Sequence, residues 1–155
     1  IIALHVESGR PKDALAVAHE VQKQRPKQSV GYLFEGDIYA VRKQWTEAAM
    51  AYQRGVKQTG STELAARLHN ALLTGGNAAQ AQQFAATWLK DHPKDDAFRL
   101  QLAQEAMTRA DHATAAQHYR KLLDTHPTNW MVLNNLAWIS AQKLRRRSHW
   151  PSVRR

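Results

Sequence analysis

Residues 115–138 read AAQHYRKLLDTHPTNWMVLNNLAW: a helix-forming run, a stop at Pro127, and the start of a second helix. Residues 81–102, AQQFAATWLKDHPKDDAFRLQL, have the same layout. In each, an alanine is followed by apolar residues four and seven places on and by His-Pro at eleven and twelve. Read outward in both directions, this layout gives a frame of four alanines, Ala14, Ala48, Ala81 and Ala115, spaced 34, 33 and 34 residues apart. Twelve residues after them come Pro26, Gly60, Pro93 and Pro127. A helix breaker at fixed phase in a period of 34 makes each unit a helical hairpin. Proline ends the second helix because it lacks the amide donor and its ring clashes with the preceding turn.

The first helix of each hairpin lies upstream of its alanine. The second unit reads VGYLFEGDIYAVRK, with Tyr32, Gly36 and Tyr39 at the spacing of W-x2-L-G-x2-Y and Glu35 where leucine is expected. The later units place Ala65, Leu68, His69 and Leu72, then Arg99, Leu102, Ala103 and Ala106, then Leu133, Leu136, Ala137 and Ser140 at these positions. Gly36, Ala103 and Ala137 share the phase at which a small residue lets two helices approach; His69 breaks it and predicts wider packing in the third unit. Gly9-Arg10-Pro11 and Gly75-Gly76-Asn77 read as turns, and Asp111 and Thr128 as N-caps. Helices are expected at about 1–8, 10–25, 28–42, 45–58, 62–74, 77–91, 94–109, 112–125 and 128–143.

Composition agrees with an all-α chain. Seven glycines and five prolines interrupt 155 residues rich in Ala, Gln and Leu. No apolar run reaches the ~20 residues that span a bilayer. The sequence opens inside a helical pattern, so it is expected to be an excerpt of a longer protein. Without cysteine there are no disulfides and no thiolate metal sites. The net charge of +9 is uneven: residues 143–155, KLRRRSHWPSVRR, hold six of the 22 Lys/Arg and no Asp/Glu, leaving the rest at 16 basic against 13 acidic side chains. That run lacks periodicity and is expected to be a disordered basic tail or a run foreign to the native protein.

Enzyme chemistry finds no footing. The closest histidine intervals, His112 to His118 and His118 to His126, are six and eight residues, whereas a helical metal pair needs three or four. There is no G-x-S-x-G, no phosphate-binding glycine loop and no cysteine nucleophile. Asp95, Asp96 and Glu63 suit helix starts, where carboxylates meet the positive end of the dipole. No cofactor and no metal are expected.

With these motifs in place, residues 1–142 resemble tetratricopeptide (TPR) repeats, in units of about 1–27, 28–61, 62–94, 95–128 and a partial 129–142. The resemblance implies an all-α solenoid of about nine helices in a right-handed superhelix, with incomplete repeats at both ends. It also implies a non-enzymatic scaffold that binds a protein or peptide along the first helices. A narrower resemblance is to the PrsT-type TPR proteins of bacterial exosortase (PEP-CTERM) systems. It is carried by VESGRPKDAL, GYLFEGDIY, ELAARLHNALLTGG through WLKDHPKD, and HYRKLLDTHPTNWMVLNNLAW. It implies a cell-envelope or periplasmic setting, with a lipid anchor in some members and a link to exopolysaccharide production. A TPR adaptor or assembly factor elsewhere, including the cytoplasm, is the alternative.

The groove-lining phases hold Leu33, Phe34 and Asp37, then Arg67 and Asn70, then Gln101 and Gln104, then Asn134, Asn135 and Trp138. Amides can pair with a peptide backbone, and a guanidinium can hold a carboxylate bidentately. The same side chains could equally be tolerated solvent-facing polar groups. Chaperone-binding TPR proteins hold a C-terminal carboxylate with a Lys/Asn, Asn, Lys/Arg set. Here Asn70 has the asparagine phase, but Ala66, Gln101, Met131 and Asn135 occupy the rest, so that clamp is absent. Two further expectations concern the C-terminal side. Leu133, Leu136 and Ile139 lack the helix that would cover them and predict self-association at that end. Arg145, Arg146, Arg147, Trp150, Arg154 and Arg155 offer a third reading, as a contact for nucleic acid or an anionic surface.

Overall fold

The computed structural model describes residues 10–148. These form eight helices and no strand: α1 (Pro11–Gln24), α2 (Val30–Val41), α3 (Trp45–Thr59), α4 (Thr62–Thr74), α5 (Ala78–Asp91), α6 (Asp96–Thr108), α7 (His112–Thr125) and α8 (Trp130–Ser148). The expected all-α class and hairpin order hold. The ninth helix, expected over 1–8, lies outside the described residues, as do residues 149–155. None of the described helices is long and apolar enough to cross a membrane.

Two kinds of turn alternate. Between hairpins, Arg25, His92 and His126 each precede a proline and end their helix with φ between −135° and −127° and ψ between 61° and 71°. Proline's Cδ pushes the preceding residue out of the helical region. Each of these residues still donates its amide to the carbonyl four back, Val21, Trp88 or Leu122. A β-turn with proline second follows, closed from Gln28, Asp95 and Asn129 back to those same residues. This turn consumes the two residues after each helix stop, which is why α2, α6 and α8 start two residues later than expected. It also moves the last cap: Asn129, not Thr128, accepts from the Val132 amide. Gly60 stops α3 differently, in the left-handed region at φ 63°.

Inside the hairpins, Lys43, Gly76 and Ala110 sit at φ 58°, 86° and 58°. At all three, the following amide bonds to the carbonyl five residues back: Gln44 to Tyr39, Asn77 to Leu72, Asp111 to Ala106. These are Schellman closures, which favour glycine at the left-handed position. Only one of the three has it.

The chain divides into two compact units, Ile1–Phe98 and Arg99–Arg155. In the first, Ala14, Ala48 and Ala81 of the repeat frame are completely buried. Tyr32, Tyr52, Leu64 and Leu68 fill the core around Ala48 and Ala81. A Cβ on Gly36 would run into the Tyr52 ring, so the small residue expected at that phase is a steric requirement. His69 is buried with its ring edge-on to Phe98, centroids 6.2 Å apart. In the second unit Ala103, Ala115, Tyr119, Leu122 and Val132 form the core.

The C-terminal side departs from expectation. Ile139 is buried and Leu136 packs against the same core; of the three residues expected to be uncovered, only Leu133 is exposed, at 45%. α8 also runs to Ser148, past the expected end at 143. Lys, Leu and Arg are good helix formers, and no breaker comes before Pro151.

Candidate functional site

The candidate groove residues fall in both units, and each set is described by itself. In the first unit, Asp37 on α2 and Arg67 on α4 form an ion pair, Nη1 to Oδ1 3.4 Å, with both side chains about half exposed. Tyr52 of α3 donates its hydroxyl to the same Asp37 oxygen at 2.6 Å. Burial first, and then Asp37 beside it, push the Tyr52 phenol well above its ordinary value, so it remains a donor at any physiological pH. Asn70, one turn after Arg67, is exposed and accepts from the Thr74 hydroxyl. Together these groups make an open, charge-balanced surface with spare amide and guanidinium donors. Arg67 is thus shared with Asp37 and is not a lone carboxylate receptor.

Leu33 and Phe34 belong mainly to the packing. Leu33 lies against the Tyr52 and Leu68 core, and Phe34 against Ala14, Ala18 and Ile38. Neighbours on a helix are about a third of a turn apart, so a pair assigned to one open face is pulled into two different seams.

Next to this surface is a polar centre that the sequence marked only as a mismatch. Glu35, at the leucine position, is almost fully buried. It accepts from Gln22 Nε2 at 2.7 Å and Arg54 Nη2 at 2.6 Å, and faces His19 Nε2 at 3.1 Å. Burial alone would raise its pKa, but bonds from Gln22, Arg54 and His19, with the Arg54 charge, hold it below the usual carboxylate value. One carboxylate thereby ties α1, α2 and α3 together. Asp95 works in the same way: it caps α6 through the Phe98 amide at 3.0 Å and also accepts from Thr62 and the Trp88 indole. These bonds outweigh its burial and lower its pKa.

In the second unit, Gln104 and Asn134 are exposed as expected. Gln101 is half-buried and bonds to Glu105 at 3.3 Å. Asn135 is turned inward, donating to the Tyr119 hydroxyl at 3.1 Å, so its amide serves the α7–α8 seam. Trp138 is 45% exposed, with the His112 ring edge-on at 5.3 Å. Sequence reasoning missed Tyr52 and Tyr119, although both stand at the same phase of the frame, four residues after an alanine. Among the described residues, no three His, Asp or Glu side chains stand together as metal ligands.

The sequence profile described as "Tetratricopeptide repeat" matches residues 4–62 and 100–145. No curated protein sequence matches the chain. Several solved structures share the fold at 15% identity. YrrB, described as a TPR protein with an unusual peptide-binding site, aligns over 92% of this chain and 74% of its own, with a TM-score of 0.53. A tetratricopeptide repeat protein from Parabacteroides merdae aligns over 89% of this chain and 54% of its own, at 0.58. MamA from Desulfovibrio magneticus RS-1 aligns over 92% and 81%, at 0.56.

Proposed function

The chain belongs to the tetratricopeptide repeat family, and on that premise we propose that it is a non-enzymatic scaffold holding a peptide segment of a partner protein along the first helices of its hairpins. The observation that carries this reading is the open Asp37–Arg67 pair beside Asn70. A peptide backbone presents alternating donors and acceptors, and this surface offers both signs and an amide without net charge. The peptide-binding description of YrrB lends support as that of a protein with the same fold. The setting we propose is the bacterial cell envelope, in protein sorting coupled to exopolysaccharide production. It rests on the sequence phrases of the PrsT-type proteins alone.

The test places a photo-crosslinking residue at Asn70 and maps the captured peptide by mass spectrometry. Replacing Asp37 and Arg67 with alanine in the same protein should reduce capture about tenfold, the loss of one charge-assisted contact set. Undiminished capture of the same peptide would sink the reading.

A further inference from the structure

The space over the first helices is filled differently from one repeat to the next. Over α2, His19 of α1 and Arg54 of α3 close from either side on the Glu35 carboxylate, at 3.1 and 2.6 Å. One repeat on, Gln53 stands at the His19 position, Leu68 at the Glu35 position and Thr87 at the Arg54 position. Leucine gives a long polar side chain nothing to bond, and Thr87 is short and exposed. No counterpart of the Arg54 arm therefore closes over α4. A cavity of about 190 Å3 is left between α3 and α5, with α4 as its floor. Its walls are three consecutive helices of the first unit, all in place around it.

The lining is sorted by depth. Ala49, Leu68 and Leu72 are buried and apolar. Met50, 55% exposed, and the partly buried Phe84 stand at the sides. Thr46, Gln53, Asn77 and Gln80 are exposed at the rim, and no charged side chain lines the space. An ionised ligand would be desolvated there without a counter-charge. A ring, in contrast, finds two suited neighbours. Thioether sulfur makes favourable contacts with aromatic edges, and aromatic rings attract one another beyond the area they bury. Phe84 already has the Trp88 ring at 6.1 Å and the Phe98 ring edge-on at 6.2 Å, and its remaining side faces the cavity. Size sets the limit at one ring, since an apolar cavity of about 150 Å3 holds a benzene. The rim amides would lose water to such a ligand, so a hydroxyl that donates and accepts restores what they give up.

We propose that this cavity binds one neutral aromatic ring bearing a hydroxyl, the chemistry of a phenol. A free phenol and the tyrosine side chain of another protein both present it. The cavity lies between second helices, whereas the Asp37–Arg67 pair lies on first helices, so this site goes beyond the peptide surface proposed above and stands or falls without it.

The probe is p-cresol, titrated into the whole chain with carbon-13 methyl-labelled methionine. Of the three methionines only Met50 lines the cavity, and Met107 and Met131 serve as internal controls. We expect the Met50 methyl signal to shift saturably with a Kd on the order of 1 mM, the scale for a ligand of this size, while the other two stay in place. Toluene, without the hydroxyl, and 4-methylcyclohexanol, without the aromatic ring, should each bind about threefold or more weaker. Gln53→Trp, a change at an exposed rim position, should plug the cavity and abolish the shift while circular dichroism stays unchanged. Gln80→Trp plugs it from the opposite wall and decides the matter if the first variant folds poorly. N-acetyltyrosinamide distinguishes the sources: binding as tight as p-cresol assigns the site to a side chain, and p-cresol binding alone assigns it to a free phenol. A Met50 methyl that does not move at about 10 mM p-cresol overturns the proposal. So do equal shifts at all three methyls, equal affinity for toluene or 4-methylcyclohexanol, or binding that survives both tryptophan variants.

Discussion

Glu35 gives the sharpest test of how this array is held together. It occupies a position where the repeat pattern wants leucine, and it is buried with three polar partners. Truncation by Glu35→Ala removes bonds from Arg54, Gln22 and His19 and leaves a cavity. Breaking a buried ion pair costs about 3–5 kcal/mol when the remaining charge is stranded. Here Arg54 and His19 are 49% and 54% exposed and can return to water. The expected loss is therefore smaller, about 2–3 kcal/mol, a sum of modest charge-assisted bonds and cavity cost. Glu35→Leu fills the space instead, and replacing a buried ion pair by a well-packed apolar side chain is often neutral, so it should stay within about 1 kcal/mol of the parent.

The pH dependence follows from the direction of the Glu35 shift. Its folded pKa is lowered, so its contribution is present above the unfolded value and is lost as pH falls through the folded one. The stability difference between the parent and Glu35→Leu should be constant near neutrality. It should move in favour of Glu35→Leu as the pH drops below the ordinary carboxylate range. Urea unfolding followed by far-UV circular dichroism, at neutral pH and through the acid range, measures both effects. Equal losses for the alanine and leucine variants, or a difference that ignores pH, would refute the reasoning.

Six other substitutions test four separate features, all by the same unfolding measurement. Ala110→Gly and Lys43→Gly relieve a left-handed backbone that costs a non-glycine residue about 1 kcal/mol, so each should stabilise by about 0.5 kcal/mol after the entropy of glycine is subtracted. Gly36→Ala should destabilise by about 1–3 kcal/mol despite its better helix propensity, because the new methyl meets the Tyr52 ring. Asp95→Ala should cost about 2 kcal/mol and alter Trp88 fluorescence, since it removes a helix cap and the indole's acceptor together. Asn135→Ala and Tyr119→Phe should each cost about 1 kcal/mol, and the double variant little more than either alone.

The frame was legible because it rests on hard sterics. An alanine with no room beside it and a proline that cannot continue a helix leave their mark at fixed spacing, and Ala14, Ala48, Ala81 and Ala115 are all fully buried. Turn positions were legible from the frame: breaks near 43–44, 75–77 and 110–111 were all expected. The Schellman geometry at Lys43 and Ala110 was not, because an ordinary residue bears the strain there. Groove residues were read less well, for a geometric reason. Asn135 sits one position from the exposed Asn134, and about 100° around a helix separates an open face from a packed seam. Spacing also says nothing of partners: Glu35 looked like a flaw until Gln22, Arg54 and His19 converged on it.

The proline turns have a consequence for how such a chain can be cut and joined. The turns at Pro93 and Pro127 have the same backbone and the same preceding histidine, 34 residues apart. Deleting residues 94–127 would join Pro93 to Thr128 and recreate His-Pro-Thr-Asn, the natural turn at the second site, with Asn129 ready to cap the next helix. The seam is thus interchangeable at the level of local geometry. The chain is divisible there as a string of like links, lengthened or shortened by whole repeats without inventing a new joint.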